Sequence, residues 1–269
     1  MPLKPDEAAE IIAVANTLAD AARMATLRHF RADGLTADSK TAQGFDPVTI
    51  ADRAAEQQMR AILARLRPDD AILGEEFGNT PGTSGLTWVL DPIDGTRGYL
   101  SGTPTWGVLI ALCDAEGPVL GVIDQPYIGE RFVGGFGHAA LTGPQGARTL
   151  ATRPARGLEQ AILFSTFPEI GTAPERAAFD QLAGQVRLTR FGMDCYAYAL
   201  LAMGQIDLVV EAGLHPHDIA APIALIHAAG GVVTTWQGGP AHGGGRIVAA
   251  ANPGIHRAAL AILSQAAPG

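Results

Sequence analysis

Apolar positions in the first quarter of the chain recur every three or four residues. Ile11, Ile12, Ala15, Leu18, Ala22, Met24 and Leu27 fall at roughly helical spacing, which predicts a helix over 6–30. A second such stretch predicts a helix from Ile50 to about Leu66, stopped by "RPDD". The connection between them, "RADGLTADSKTAQGFDPVT", is polar, glycine-bearing and long enough for a functional loop. The pattern then shortens. "AILG", "LTWVLDP", "WGVLIALCDAEGPVLGVIDQP" and "ERFVGGFGHAALTG" are short apolar runs set between turn residues, as strands are, with a hairpin reversing at "DAEGP".

From "GLEQAILFSTFPEI" onward both periods alternate. Helices are predicted in "APERAAFDQLAGQ", "CYAYALLAMG" and "HDIAAPIALIHAAGG", with strand character in "IDLVVEAG" and "VVTTW". Such alternation predicts an α/β layer. Proline, glycine and arginine gather in "ARTLATRPARGL", which sets a soft boundary near residue 150. An α+β half (1–150) and an α/β half (151–269) then form one compact unit, since no long linker, repeat or low-complexity segment divides them.

Composition narrows the functional classes. With 269 residues, 47% apolar and 17% charged, the chain can bury one large core or two moderate ones. A net charge of -8 and no basic stripe argue against a nucleic-acid partner, so any anionic substrate must be received locally. Cys113 and Cys195 have no paired spacing, which disfavours a disulfide framework or a thiolate metal site. The N-terminus has early acidic residues and no leader pattern, and no run of about 18 apolar residues exists. A cytoplasmic location without a membrane partner is the expectation.

The chemistry concentrates in "WVLDPIDGT", residues 88–96. Trp88 to Leu90 reads as a strand with Asp91 at its end, Pro92 fixing a turn and Asp94-Gly95-Thr96 continuing it. Two carboxylates this close repel each other unless a cation lies between them. The Ile93 carbonyl would sit between them, and hard divalent cations take such oxygens. Gly95 permits close backbone approach, and the amides after it can face an anion. An Asp-Pro turn with a capping aspartate would leave the same residues. An EF-hand is excluded because Gly102 stands where the twelfth-position carboxylate belongs. Asp52, Glu75 and Asp218 add carboxylates elsewhere, each open to a plainer account as a first-turn helix residue, a strand-end charge and a helix N-cap.

Taken together, "DPVTIAD" ending at Asp52, "GEE" at 74–76, "WVLDPIDGT" and "HDIAAPIALIHAAGG" at 217–231 resemble the inositol monophosphatase-like phosphatases, in order and in spacing, over nearly the whole chain. The resemblance implies a layered αβαβα sugar-phosphatase fold, two or three Mg²⁺ ions per site and a homodimer. It implies that Glu75, Asp91 and the Ile93 carbonyl hold one ion, that Asp91, Asp94 and Asp218 hold a second, and that Glu75 with waters holds a weaker third. Asp52 and Thr96, with Glu75, would ready the attacking water, and the Gly95 and Thr96 amides would receive phosphate oxygens. Arg97 could pair with phosphate or lie on the surface. Five ionised carboxylates would repel a phosphate dianion, and the expected cations reverse that sign.

Asp194, Tyr196 and Glu211 fall where the family recognises the alcohol half of its substrate. An acidic residue at 194 suits a cation. With "DGTR", "TWGVLIAL" and "DQPYIGERFVGG", the chain is most similar to the histidinol-phosphatase branch, and Asp194 and Glu211 would neutralise the ammonium and imidazole of histidinol phosphate. A helix N-cap at Asp194 and a strand-end charge at Glu211 are the alternatives. Inositol 1-phosphate or another small sugar or nucleotide monophosphate is the second substrate class, and a silent metal-binding module a third possibility. Lys40 reads as a loop cation, and His215 and His217 as packing groups beside a helix start.

Overall fold

A computed structural model describes residues 5–39 and 47–266. In chain order, α1 (Pro5–Leu27), β1 (Ala37–Ser39), β2 (Pro47–Thr49) and α2 (Ile50–Leu66) precede β3 (Ala71–Gly74), β4 (Gly78–Thr80), β5 (Thr87–Asp94) and the short α3 (Thr96–Ser101). A meander follows: β6 (Gly107–Cys113), β7 (Pro118–Gln125), β8 (Glu130–Gly135), β9 (His138–Gly143) and β10 (Gly146–Thr149). The remainder is β11 (Ile162–Ser165), α4 (Ala173–Ala183), β12 (Leu188–Phe191), α5 (Tyr196–Ala202), β13 (Leu208–Leu214), α6 (Pro216–Ala228), β14 (Val232–Thr235), β15 (Gly245–Ala250) and α7 (Pro253–Leu263).

Two sheets organise these elements. One has eight strands in the order β10-β9-β8-β7-β6-β5-β3-β4, and the other has five in the order β12-β11-β13-β15-β14. Alternation along β5 separates the layers. Trp88 and Leu90 face Ile11, Ala15 and Leu18 of α1 and Met59 of α2, whereas Val89 faces the opposite side, where Ile219 and Ile223 of α6 pack. That middle helical layer also packs on Phe164, Val209 and Ile247 of the second sheet. The far side of the second sheet buries Leu163, Leu208 and Val248 against Phe179 of α4 and Ile255 and Leu263 of α7. The result is a layered αβαβα arrangement.

Glycines let α6 lie close on the eight-stranded sheet. A Cβ at Gly121 would fall 2.1 Å from the Ala221 carbonyl oxygen, and one at Gly134 would fall 2.4 Å from the Leu225 Cα. Among the described residues, no helix is long and apolar enough to cross a membrane.

Several expected boundaries move. The first helix ends at Leu27 rather than near 30, and the polar connection contributes β1 and β2, which pair antiparallel. The strand in "WVLDP" does not stop at Asp91. It runs to Asp94 with a bulge, since Asp91 pairs with Leu109 and Asp94 with Gly107, leaving Pro92 and Ile93 opposite one residue. Thr96 then opens a short helix instead of continuing the turn. The last strand and helix, β15 and α7, carry patterns that the reading above passed over.

Candidate active site

The bulge in β5 is what brings two aspartates to one face. Residues three apart on a regular strand point to opposite sides of a sheet, but the extra residue returns Asp94 to the side of Asp91. That is the side α6 covers, and Asp218 stands in the first turn of α6. Its Oδ2 accepts from the amide of the N-cap residue His215 at 2.7 Å, the returning half of a capping box. One oxygen each from Asp91, Asp94 and Asp218 lie within 4.8 Å of one another. Glu75, just past the end of β3, joins Asp91 and His217 in a second group of the same compactness.

Asp91 and Asp94 are braced from behind. Asp91 Oδ1 accepts from the Ile93 amide at 3.0 Å, and Asp94 Oδ2 accepts from the Cys195 amide at 2.6 Å. Burial is the chief reason the Asp91 and Asp94 carboxyls sit well above the usual range. Glu75, Asp94 and Asp218 add repulsion at Asp91, and Asp218 and Asp194 add it at Asp94. Asp218 is raised by burial too, partly offset by His217. Clustered, buried, hard oxygen donors that resist ionisation together fit a site for divalent cations.

Gly95 and Thr96 form the neighbouring edge. Gly95 has φ 87°, the left-handed region, and a Cβ there would lie 2.8 Å from Asp194 Cγ. The Thr96 hydroxyl lies 3.1 Å from the Ile93 carbonyl oxygen and 3.4 Å from Asp52 Oδ1. Asp52 itself is fully buried in the first turn of α2 and lies behind Thr96 rather than on the cavity surface. Its Oδ2 accepts from the Thr49 amide at 2.8 Å and the Thr49 hydroxyl at 2.5 Å, while burial pushes its carboxyl up to about 6.

These groups open on a cavity of about 450 Å³. Glu75, Asp91, Ile93, Asp94 and Asp218 line one part, with Gly95, Thr96 and Arg97 beside them. Asp194 and Glu211 line the rest with Thr166, Phe167, His215 and His217. Glu211 Oε1 accepts from the Thr166 amide at 2.7 Å and its hydroxyl at 2.8 Å, and burial lifts the carboxyl to about 7. Asp194 accepts from the Thr105 hydroxyl at 3.2 Å. Its carboxyl is raised by burial, and Thr105 and Arg97 moderate the shift.

Three sequence expectations change here. Asp194 is not a helix cap: it has φ 45°, and Cys195 occupies the N-cap of α5. Tyr196 does not join Asp194 and Glu211, because its hydroxyl donates to Glu130 at 2.7 Å and it is absent from the cavity wall. His217 is closer to the chemistry than a packing role suggests. It stacks on His215 at 5.3 Å, and its Nε2 is 3.4 Å from Asp218 Oδ1. Thr105, Thr166 and Phe167 carried no local signal. Lys40 lies outside the described residues.

Comparison with known proteins bears on the family and the fold. A profile of the inositol monophosphatase family matches residues 7–267. The bifunctional phosphatase IMPL2, chloroplastic, of Arabidopsis thaliana is 40% identical over 239 residues, 88% of this chain and 67% of that protein. A histidinol-phosphatase of Streptomyces coelicolor is 36% identical over 263 residues, 94% of this chain and 96% of its own. The structure of an inositol monophosphatase from Zymomonas mobilis superposes with a TM-score of 0.83 at 39% identity, covering 94% of this chain and 97% of the other. With sequence likeness and fold spanning every layer from α1 to α7, the chain belongs to the inositol monophosphatase family of phosphatases.

Proposed function

We propose that the protein hydrolyses L-histidinol phosphate to L-histidinol and phosphate, a step of histidine biosynthesis, with Mg²⁺ as cofactor. The observation that carries this is one cavity with a compact carboxylate cluster at one end and two further carboxylates, Asp194 and Glu211, at the other. The first end suits a phosphate received through metal ions, and the second suits a positively charged alcohol. The 36% identity to a histidinol-phosphatase along nearly all of both chains supports that choice.

In this proposal Glu75, Asp91, the Ile93 carbonyl, Asp94 and Asp218 hold two or three magnesium ions. Bound there, magnesium supplies charge neutralisation and Lewis acidity toward water and phosphate. The Gly95 and Thr96 amides and Arg97 orient the phosphate oxygens. The Thr96 hydroxyl accepts a hydrogen bond from the attacking water and relays to Asp52, which takes the proton as the new P–O bond forms. The bond from phosphorus to the alcohol oxygen breaks, and that oxygen leaves protonated from solvent. Asp194 and Glu211 fix the ammonium and the ring.

A second reading, hydrolysis of inositol 1-phosphate, is favoured by the 39% identity to the Zymomonas mobilis inositol monophosphatase structure. Phosphate release from histidinol phosphate, inositol 1-phosphate and adenosine 3',5'-bisphosphate, with and without Mg²⁺, tests both. Histidinol phosphate is expected to give the highest kcat/KM, only with metal, and Asp91→Asn to lower it by about a thousandfold or more. A clear preference for inositol 1-phosphate moves the assignment to the second reading, and an inert, metal-replete wild type removes both.

A further inference from the structure

The loop after β11 places Phe167 on the cavity wall with 45% of its surface exposed, a large aromatic face left toward solvent beside a polar site. The Arg97 guanidinium lies over that ring, its Cζ 5.1 Å from the centroid. Asp194 lies across the same space, its side chain packed against Gly95 and Gly98. Arg97 is near enough for its charge to favour the ionised form of that carboxyl. One of the protein's own planar cations thus rests over an aromatic face on a cavity wall that also carries a carboxylate. A ring quadrupole attracts a cation within about 6 Å of its centroid, and a carboxylate adds direct charge pairing, so the two together favour a delocalised planar cation over a neutral polyol.

We propose that Phe167 and Asp194 form a planar-cation subsite, in which the cationic ring of the substrate's alcohol half takes the place of the Arg97 guanidinium and frees Arg97 to turn toward the phosphate. This rests on the cationic substrate assigned above and extends it, making Phe167 a specificity-determining residue and giving Arg97 two positions. A neutral polyol lacks the charge to exchange with the guanidinium and meets Arg97 in place.

The full chain with Mg²⁺ supplies two readouts for wild type, Phe167→Leu and Phe167→Trp. One is kcat and KM with histidinol phosphate and inositol 1-phosphate. The other, independent of turnover, is the Kd of free L-histidinol by titration calorimetry. Phe167→Leu is expected to raise the KM for histidinol phosphate and the Kd for histidinol about tenfold, well beyond its effect on the KM for inositol 1-phosphate. Phe167→Trp, which keeps an aromatic face, is expected to return both toward wild type. Equal changes for the two phosphates, a Kd that the leucine leaves where it was, or no histidinol binding by the wild type each overturn the subsite. If the wild type rejects histidinol phosphate but binds histidinol through Phe167, the substrate assignment fails while the subsite stands.

Discussion

At the scale of single residues, position in the cavity separates groups that resemble one another in sequence. Asp194 and Asp94 are both half-buried carboxylates, yet Asp94 belongs to the compact oxygen cluster and Asp194 meets Thr105 and Arg97. Asp194→Asn is therefore expected to raise the KM for histidinol phosphate about tenfold while changing that for inositol 1-phosphate much less. Parallel kinetics on the two substrates check this, and equal losses contradict it. Thr96 stands between the cavity and Asp52, so Thr96→Ala is expected to lower kcat about 10²- to 10³-fold with little change in KM, measured by steady-state kinetics. Glu75, Asp91, Asp94 and Asp218 were legible as candidates because carboxylates in such settings are conspicuous in a chain. Phe167, Thr166 and Thr105 were not, because nothing in a short apolar-polar stretch records which wall it will face.

At the scale of elements, the site depends on how three pieces of regular structure end or deviate. The bulge in β5 turns Asp94 to the side of Asp91, the first turn of α6 presents Asp218, and the first turn of α2 presents Asp52 from beneath. Both helix starts use the carboxylate as the returning partner of a capping box, so the third residue of each helix both secures its start and stands at or just behind the site. The seat of α6 is set by glycines on β7 and β8. Gly121→Ala would drive a Cβ to within 2.1 Å of the Ala221 carbonyl. A loss of about 2–3 kcal/mol in urea unfolding is expected, together with a raised magnesium requirement because Asp218 moves with its helix. Unchanged stability and metal requirement would show that α6 is not held by this contact. The periodicity that marks α6 and β5 was plain in the sequence, whereas the bulge was hidden, because "DPID" reads equally well as a turn.

At the scale of the whole molecule, burial of many carboxylates in one place links folding to protons and, on the proposed function, to metal. Asp52 at about 6 and Glu211 at about 7 lie above their ordinary values of 3.8 and 4.5. A raised value means that the folded chain holds protons the unfolded chain releases. The stabilising contribution is present in full below about pH 4 and is lost as the pH climbs through 6 to 7, on the order of 3 kcal/mol for each group. The metal-free protein is expected to lose thermal stability from about pH 4 to 7, with Mg²⁺ restoring it most at the upper end. Tm against pH, in chelator and in magnesium, measures this, and identical slopes would argue against a cation site. Read alone, the chain gives away its helical and strand periods and the order of its acidic segments, since these are written in spacings of a few residues. Only the tertiary structure decided that Asp91 and Asp94 share a face, that Tyr196 turns away to Glu130, and that His217 and Phe167 enter the cavity. Those outcomes depend on strand register and layer packing, which join residues far apart in the chain and leave no mark in any one stretch of it.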